Sequence, residues 1–472
     1  MVKILITNPT FEHTYGCEGN QGTRAIMICT VESIQEVIPQ AEISTLIQFS
    51  DQFAAEHNIR VVKGNIFSYR PFSLWYSLLA SLNLVLVVSW NILHSLKING
   101  KLLLRNRKLK EFQNADIIIH LGTNLYSEDF GIRGFIEHSK EILLAMLLKK
   151  PVVLYAESVG PFNNAMSRFI AKRLLNKVDL ITLRDEISRE YLVELGVNKP
   201  PIYLTADPAF LLKPVPEGRI SEILNDEGIK KSIKPVIGLT LSSTTNLKEE
   251  MKKSRVVALI NLAYGLGRYF LPESIIKVVL GIFMHTGYLN RIKTRYITQN
   301  ETSNIIDQII DSLDTDIMII PHIRHEGIFE DSNTAQEIRR RTKNQDRIKV
   351  IQNIYISEEL KGIIGKCDMF ISSRMHAAIA AMSQCIPTIL IPVSQRHHGI
   401  MRMTGQEKYV CNSFTFDEVI MKVENAWSHR ETIKREMHSR IKEIQDASLR
   451  NAELICELIN KSEGLSNWKQ SV

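Results

Sequence analysis

The segment Ile371-Ser372-Ser373-Arg374-Met375-His376-Ala377-Ala378-Ile379-Ala380-Ala381 carries the densest reactive chemistry in the chain. An apolar strand pattern ends at Ser372, and an alanine-rich helical pattern opens within two or three residues. Ser372 or Ser373 is suited to cap that helix, whose first-turn N–H groups would favour an anion. Arg374 offers a fork for a carboxylate or phosphate, and His376 offers a proton donor near neutral pH. The alanines allow the helix to press on its sheet and hold both side chains still. A capped surface helix with a half-buried histidine would leave the same short pattern. Its place at a strand-to-helix switch favours function, because ligands of open α/β sheets gather at the carboxyl ends of strands.

Further segments repeat the strand-then-turn arrangement. In Tyr155-Ala156-Glu157-Ser158-Val159-Gly160-Pro161-Phe162, Gly160 permits close backbone approach, and Glu157 or Ser158 is placed to contact a sugar hydroxyl. In Thr182-Leu183-Arg184-Asp185-Glu186-Ile187-Ser188, Asp185 reads as a helix cap, while a strand-end Arg184 would point into a cleft and bind phosphate. Asp207, in Ala206-Asp207-Pro208-Ala209-Phe210, reads mainly as structural. His322 follows Pro321 on a loop, where it would help to hold an anion or sugar. His322 and His325 lack the spacing of zinc ligands, so no metal is expected. Gly16-Cys17-Glu18-Gly19-Asn20-Gln21-Gly22-Thr23 is glycine-rich without being a dinucleotide or Walker motif. Gly122 and Asn124, in His120-Leu121-Gly122-Thr123-Asn124, end a strand where a substrate loop would sit.

These segments hang on a regular alternation of short β-rich runs and longer helical patterns, the mark of parallel α/β layering. Strands are expected at 3–7, 42–48, 115–120, 151–156, 180–183 and 202–204, with helices at 23–37, 135–149, 166–177 and 186–195. After a proline cluster (Pro208, Pro214, Pro216) the theme resumes. Strands at 235–241, 316–321, 348–351, 369–372 and 388–392 interleave with helices at 303–313, 357–367 and 375–385. The economical architecture is α/β: two Rossmann-like domains with a cleft between them, residues 1–206 and 207–425, then a charged helical tail, 426–472.

Composition is that of a globular protein, with 44% hydrophobic and 23% charged residues. The 58 basic residues exceed the 51 acidic by only 7. Basic runs such as Arg339-Arg340-Arg341 are too short for a nucleic-acid stripe, so no nucleic-acid partner is expected. The six cysteines form no C-x-x-C pair, which speaks for a reducing compartment. The amino terminus reads as a strand rather than a signal peptide, giving a cytoplasmic expectation. Two apolar excursions, 72–96 and 256–288, interrupt the pattern. The first holds no charge, but serines and asparagines break it and basic residues flank it. A helix packed on the protein or its oligomer is favoured there over peripheral contact with the inner face of a membrane, and over a true span.

Taken in order, Asn20-Gln21-Gly22, Gly122-Thr123-Asn124, Ser158-Val159-Gly160-Pro161, Arg184-Asp185 with Ser188, Asp207-Pro208-Ala209-Phe210, Pro321-His322 and Ser373-Arg374-Met375-His376 resemble the polysaccharide pyruvyl transferase family. The likeness runs from residue 1 to about 410, outside the two excursions. It implies a glycosyltransferase-B-like fold and transfer of enolpyruvyl from phosphoenolpyruvate to two hydroxyls of a sugar, glycan or lipid-linked glycan. A ketal forms and phosphate leaves, with phosphoenolpyruvate as donor substrate and no cofactor. The family's anion-binding and proton-donating roles fall on Arg374 and His376. Arg184, His322, Ser373, Asn20, Gly122, Asn124, Glu157, Ser158 and Gly160 would line the substrates. The chain departs from the family's Gly-x-Gly-x-Gly-Pro at Ala156-Glu157-Ser158-Val159-Gly160-Pro161, and from its glycine-rich run at 120–124. Both departures fall on the acceptor side. A glycosyltransferase or sugar-nucleotide epimerase on the same fold, and a non-catalytic membrane-apposed module, are the competing readings.

Overall fold

The structure, a computed structural model, describes residues 1–8, 19–62, 107–122, 127, 132–229, 232–241, 299–323, 331–391, 396–412 and 415–470. Two parallel sheets organise them. The first contains β1 (Lys3–Thr7), β2 (Glu42–Thr45), β3 (Arg60–Val61), β4 (Ile117–Leu121), β5 (Val152–Glu157), β6 (Leu180–Leu183) and β7 (Ile202–Leu204), in the order β3-β2-β1-β4-β5-β6-β7. The second contains β8 (Val236–Thr240), β9 (Asp316–Ile319), β10 (Ile348–Val350), β11 (Met369–Ser372) and β12 (Thr388–Leu390), in the order β10-β9-β8-β11-β12. All pairings between these strands are parallel.

The apolar runs follow from this topology. Helices cover both faces of a parallel sheet, so central strands such as Ile117–Leu121 and Val152–Glu157 are buried along their whole length and need not alternate. The strand order reverses between β1 and β4 and again between β8 and β11, and crevices form at the carboxyl ends beside such switch points. β3 is a two-residue edge strand, paired through Ser44–Arg60 and Thr45–Val61. Two residues, one of them charged, leave no periodicity to find.

The carboxyl-terminal sequence, for all its charge, is packed. The helix Phe416–Ser428 lies beside the second sheet, and the helix Arg430–Gln470 returns to the Pro208–Leu211 turn, the helix Gln21–Val37 and β5. Ile433, Met437, Ile444 and Ile455 form its buried stripe. Asn451 and Ser448 fix the chain where it passes between the sheets. Asn451 Nδ2 donates to Ala206 O (3.0 Å), its Oδ1 accepts from Thr205 Oγ1 (2.8 Å), and Ser448 Oγ donates to Asp207 O (3.0 Å). The sheets also touch through an antiparallel bridge between Asn20 and Ile323 and through Arg24, paired with Glu358 at 3.4 Å. Among the described residues, no helix is long and apolar enough to cross a membrane. The apolar stretches 72–96 and 256–288 lie outside the described residues.

Candidate functional site

The helix Met375–Met382 begins just beyond the carboxyl end of β11, and Ala377, Ala378 and Ala381 are fully buried beneath it. Neither serine caps it. Ser372 Oγ instead binds the backbone of Arg374, accepting from its N–H and donating to its C=O (3.0 and 2.9 Å). Ser373, itself buried, extends the sheet ladder with a backbone bond to Thr240 O (2.9 Å). The N-cap position falls to Arg374, which makes no side-chain cap bond. The first turn therefore carries Arg374 and His376 at a helix start that the N-cap side chain does not cap, a setting suited to an anion.

Three side chains flank that turn: Asp331, His322 and Asp207. Arg374 Nη2 donates to Asp331 Oδ1 at 2.6 Å, while Asp331 Oδ2 accepts from the backbone N–H groups of His322 (3.2 Å) and Ile323 (2.9 Å). Asp331 thus ties the loop after β9 to the arginine. His322 is 5% exposed, with neither ring nitrogen hydrogen-bonded. Burial, reinforced by the cations His376 and Arg374, pushes its pKa down to about 3, so it stays neutral at working pH. It was expected to help hold an anion or sugar; it lies buried within electrostatic reach of His376 and Arg374. Asp207 Oδ2 stands 3.7 Å from His376 Nε2, beyond hydrogen-bond range but within ion-pair reach. Burial would raise the Asp207 pKa, yet Arg184 and His376 more than offset it and hold the carboxyl well below its usual range.

Arg184 departs most clearly from the sequence expectation. It is completely buried rather than cleft-facing. Its Nη1 donates to Asp207 Oδ2 at 2.5 Å and its Nε donates to Ser158 Oγ at 2.9 Å. Ser158 in turn donates to Asp185 Oδ2 (2.6 Å), whose Oδ1 caps the next helix through the Ser188 N–H (2.8 Å), the capping role read from the sequence. Ser158 and two of the three Arg184 nitrogens are therefore engaged internally, while Arg184 Nη2, buried as well, has no hydrogen-bond partner. Glu157 is likewise fully buried, with Oε2 3.2 Å from His120 Nδ1. His120 Nε2 meets His138 Nδ1 at 3.0 Å.

The predicted glycines are packing positions. A Cβ on Gly122 would collide with the carbonyls of Tyr155 and Ala156, and one on Gly160 with the Tyr191 ring. Ala156 stands where the family carries its first glycine. Its φ of 47° is left-handed, at a register shift between β5 and β6, so an alanine here bears roughly 1 kcal/mol that glycine would avoid. Asn20 caps the helix Gln21–Val37, its Oδ1 accepting from Gly22 and Thr23 N–H (3.2 and 3.3 Å). Asn124 lies outside the described residues. Among those residues, no group of three or more His, Cys, Asp or Glu side chains is placed to hold a metal.

Gly22 joins the site in a way the sequence did not announce. A Cβ there would overlap the His376 imidazole, meeting Cγ at 2.7 Å and Nδ1 closer still. Gly22→Ala is therefore expected to displace the ring and lower kcat by at least tenfold with little change in thermal stability. An unchanged kcat in a steady-state assay would show that the ring has room to move. Asp331 also escaped the sequence reading, since nothing in the pattern links it to Arg374, 43 residues away.

Two Rossmann-like sheets, with the reactive helix at the carboxyl edge of the second and contacts from the first, define a two-domain α/β protein of the glycosyltransferase-B type. UDP-GlcNAc 2-epimerase of Neisseria meningitidis, solved with UDP-GlcNAc, superposes with a TM-score of 0.52 at 11% identity, covering 98% of this chain and 99% of that one. Anabaena HepE in complex with UDP gives 0.54 at 10% identity, covering 98% and 100%. Such likeness concerns the fold. The model of the polysaccharide pyruvyl transferase family matches residues 22–395, and the chain belongs to that family. The amylovoran biosynthesis protein AmsJ of Erwinia amylovora is 22% identical over 337 residues, 70% of this chain and 69% of that protein.

Proposed function

We propose that the protein transfers the enolpyruvyl unit of phosphoenolpyruvate to a sugar of a surface polysaccharide or its lipid-linked precursor, forming a pyruvate ketal. The observation that carries this reading is the pairing of a guanidinium, Arg374, with an imidazole, His376, on the first turn of one helix beyond the carboxyl end of β11. Phosphoenolpyruvate is a small, multiply charged anion whose methylene carbon must be protonated before a hydroxyl can attack. His376 supplies that proton to C3. A first sugar hydroxyl adds to C2 and gives up its proton, returning the imidazole to its charged form. The C2–O bond to phosphate then breaks, and a second hydroxyl closes the ring, its proton leaving with phosphate. Arg374 and the turn's N–H groups balance the carboxylate and phosphate as charge shifts between them.

This assignment differs from the expectation in one respect: Arg184 and Ser158 work from behind the site, through Asp207. Cytoplasmic action on a membrane-borne acceptor accords with it. The test is incubation with phosphoenolpyruvate and a panel of lipid-linked and nucleotide-linked glycans. Phosphate release with a mass gain matching the ketal is expected. Release of UDP from a UDP-sugar without phosphate release would instead favour a glycosyltransferase or epimerase on this fold.

A further inference from the structure

A line of buried polar contacts runs from the first sheet to the reactive helix. Asp185 holds Ser158, Ser158 holds Arg184 Nε, Arg184 Nη1 holds Asp207 Oδ2, and that same oxygen faces His376 Nε2. Asp207 Oδ1 is occupied by the Ala209 N–H at 2.9 Å, so the carboxylate has no freedom to turn. Arg184 and Asp207 are both 0% exposed. The two nitrogens of His376 are not equivalent. Nε2 is buried and faces Asp207, whereas Nδ1 lies on the side of the ring that packs against Gly22.

We propose that Asp207 is the positioning residue of the reaction. Its carboxylate, fixed by Arg184, keeps a proton on His376 Nε2, so that Nδ1–H is the proton delivered to the substrate. A carboxylate beside one imidazole nitrogen orients the ring, selects its tautomer and favours the imidazolium. After delivery of the Nδ1 proton the ring is neutral with Nε2–H still facing Asp207, and Nδ1 is ready to accept the hydroxyl proton. Among the described residues, the other titratable or charged groups around the pair are Arg184 from β6, His322 from the loop after β9, Asp331, which pairs with Arg374, Arg374 itself at the start of the same helix, and Cys29 of the helix Gln21–Val37, which lies within electrostatic reach of Asp207. Among the described residues, Asp207 is the carboxylate within ion-pair reach of Nε2, at 3.7 Å. The inference rests on His376 being the acid of the proposed transfer, but its physical content can be read without turnover.

The experiment is histidine-selective nitrogen-15 NMR on the wild type, on Asp207→Asn and on the charge-neutral pair Arg184→Gln/Asp207→Asn. The pair guards against loss of fold, because Asp207→Asn alone leaves a buried guanidinium unpaired. In the wild type, neutral His376 is expected as the Nε2–H tautomer. In Asp207→Asn, Nδ1–H becomes populated in the neutral ring. The pair shows the same tautomer change. The basic limb of the kcat/KM profile moves to lower pH, while activity recovers at low pH. An unchanged tautomer in the folded pair overturns the inference even if pyruvyl transfer is found. The expected spectra without any transfer from phosphoenolpyruvate would sustain Asp207's role and remove the proposed reaction instead.

Discussion

His376→Ala is expected to lower kcat about a thousandfold, the middle of the range for a lost general acid, while leaving the fold in place. The side chain is 18% exposed, and truncation takes from Asp207 an imidazole that stands 3.7 Å away. Asp207 keeps Arg184 and the Ala209 N–H. Removing the ring opens space above Gly22 without exposing a large apolar surface. Binding of phosphoenolpyruvate should change much less than kcat, because Arg374 and the first-turn N–H groups remain. Released phosphate measured alongside a thermal melt separates the two effects. Retention of more than a tenth of wild-type ketal formation in a folded His376→Ala protein would mean that the proton comes from elsewhere. A loss confined to KM would place His376 in binding rather than in proton transfer.

How far the sequence led can be argued from particular residues. The second-half strands at β8 to β12 were legible because strands covered on both faces leave unbroken apolar runs such as Met369–Ser372. The strand-to-helix switch at Ser372 was equally legible, and it placed Arg374 and His376 correctly on one turn. What a single chain does not display is who occupies a side chain's donors. Arg184 read as available because it ends a strand, yet Ser158 and Asp207, 26 and 23 residues away, take up its Nε and Nη1. Asp331 is invisible for the same reason. Asp207 read mainly as structural; it does start the Pro208–Leu211 turn, but its second oxygen faces the imidazole. The helix Arg430–Gln470 misled through composition. A stripe one residue in four wide, carried by Ile433, Met437 and Ile441, is diluted by its charged neighbours, yet it suffices to dock the helix.

Arg184→Ala should be the most damaging substitution for stability among these residues, costing about 3 to 5 kcal/mol at neutral pH. The reason is what it leaves behind. Asp207 would remain without solvent contact, retaining the Ala209 N–H and the more distant imidazole as its only compensation. Ser158 would lose the donor that orients its hydroxyl. The effect carries a pH signature. In the wild type the Asp207 pKa is depressed, so its carboxylate contributes stability above the ordinary carboxyl value, and that contribution disappears as pH falls. Without Arg184, burial acts almost unopposed and raises the pKa, so the variant's carboxyl becomes protonated and tolerable in acid. The gap between the two proteins is therefore widest near neutral pH and narrows below about pH 4. Arg184→Gln/Asp207→Asn, which removes both charges at nearly constant volume, should recover most of the loss, because pairing rather than the arginine itself is what the buried site requires. Urea unfolding at pH 7 and pH 4 on the three proteins decides it. If Arg184→Ala costs less than about 1 kcal/mol while raising the KM for phosphoenolpyruvate, the arginine reaches the substrate after all, and the buried line from Asp185 to His376 is not what supports the site.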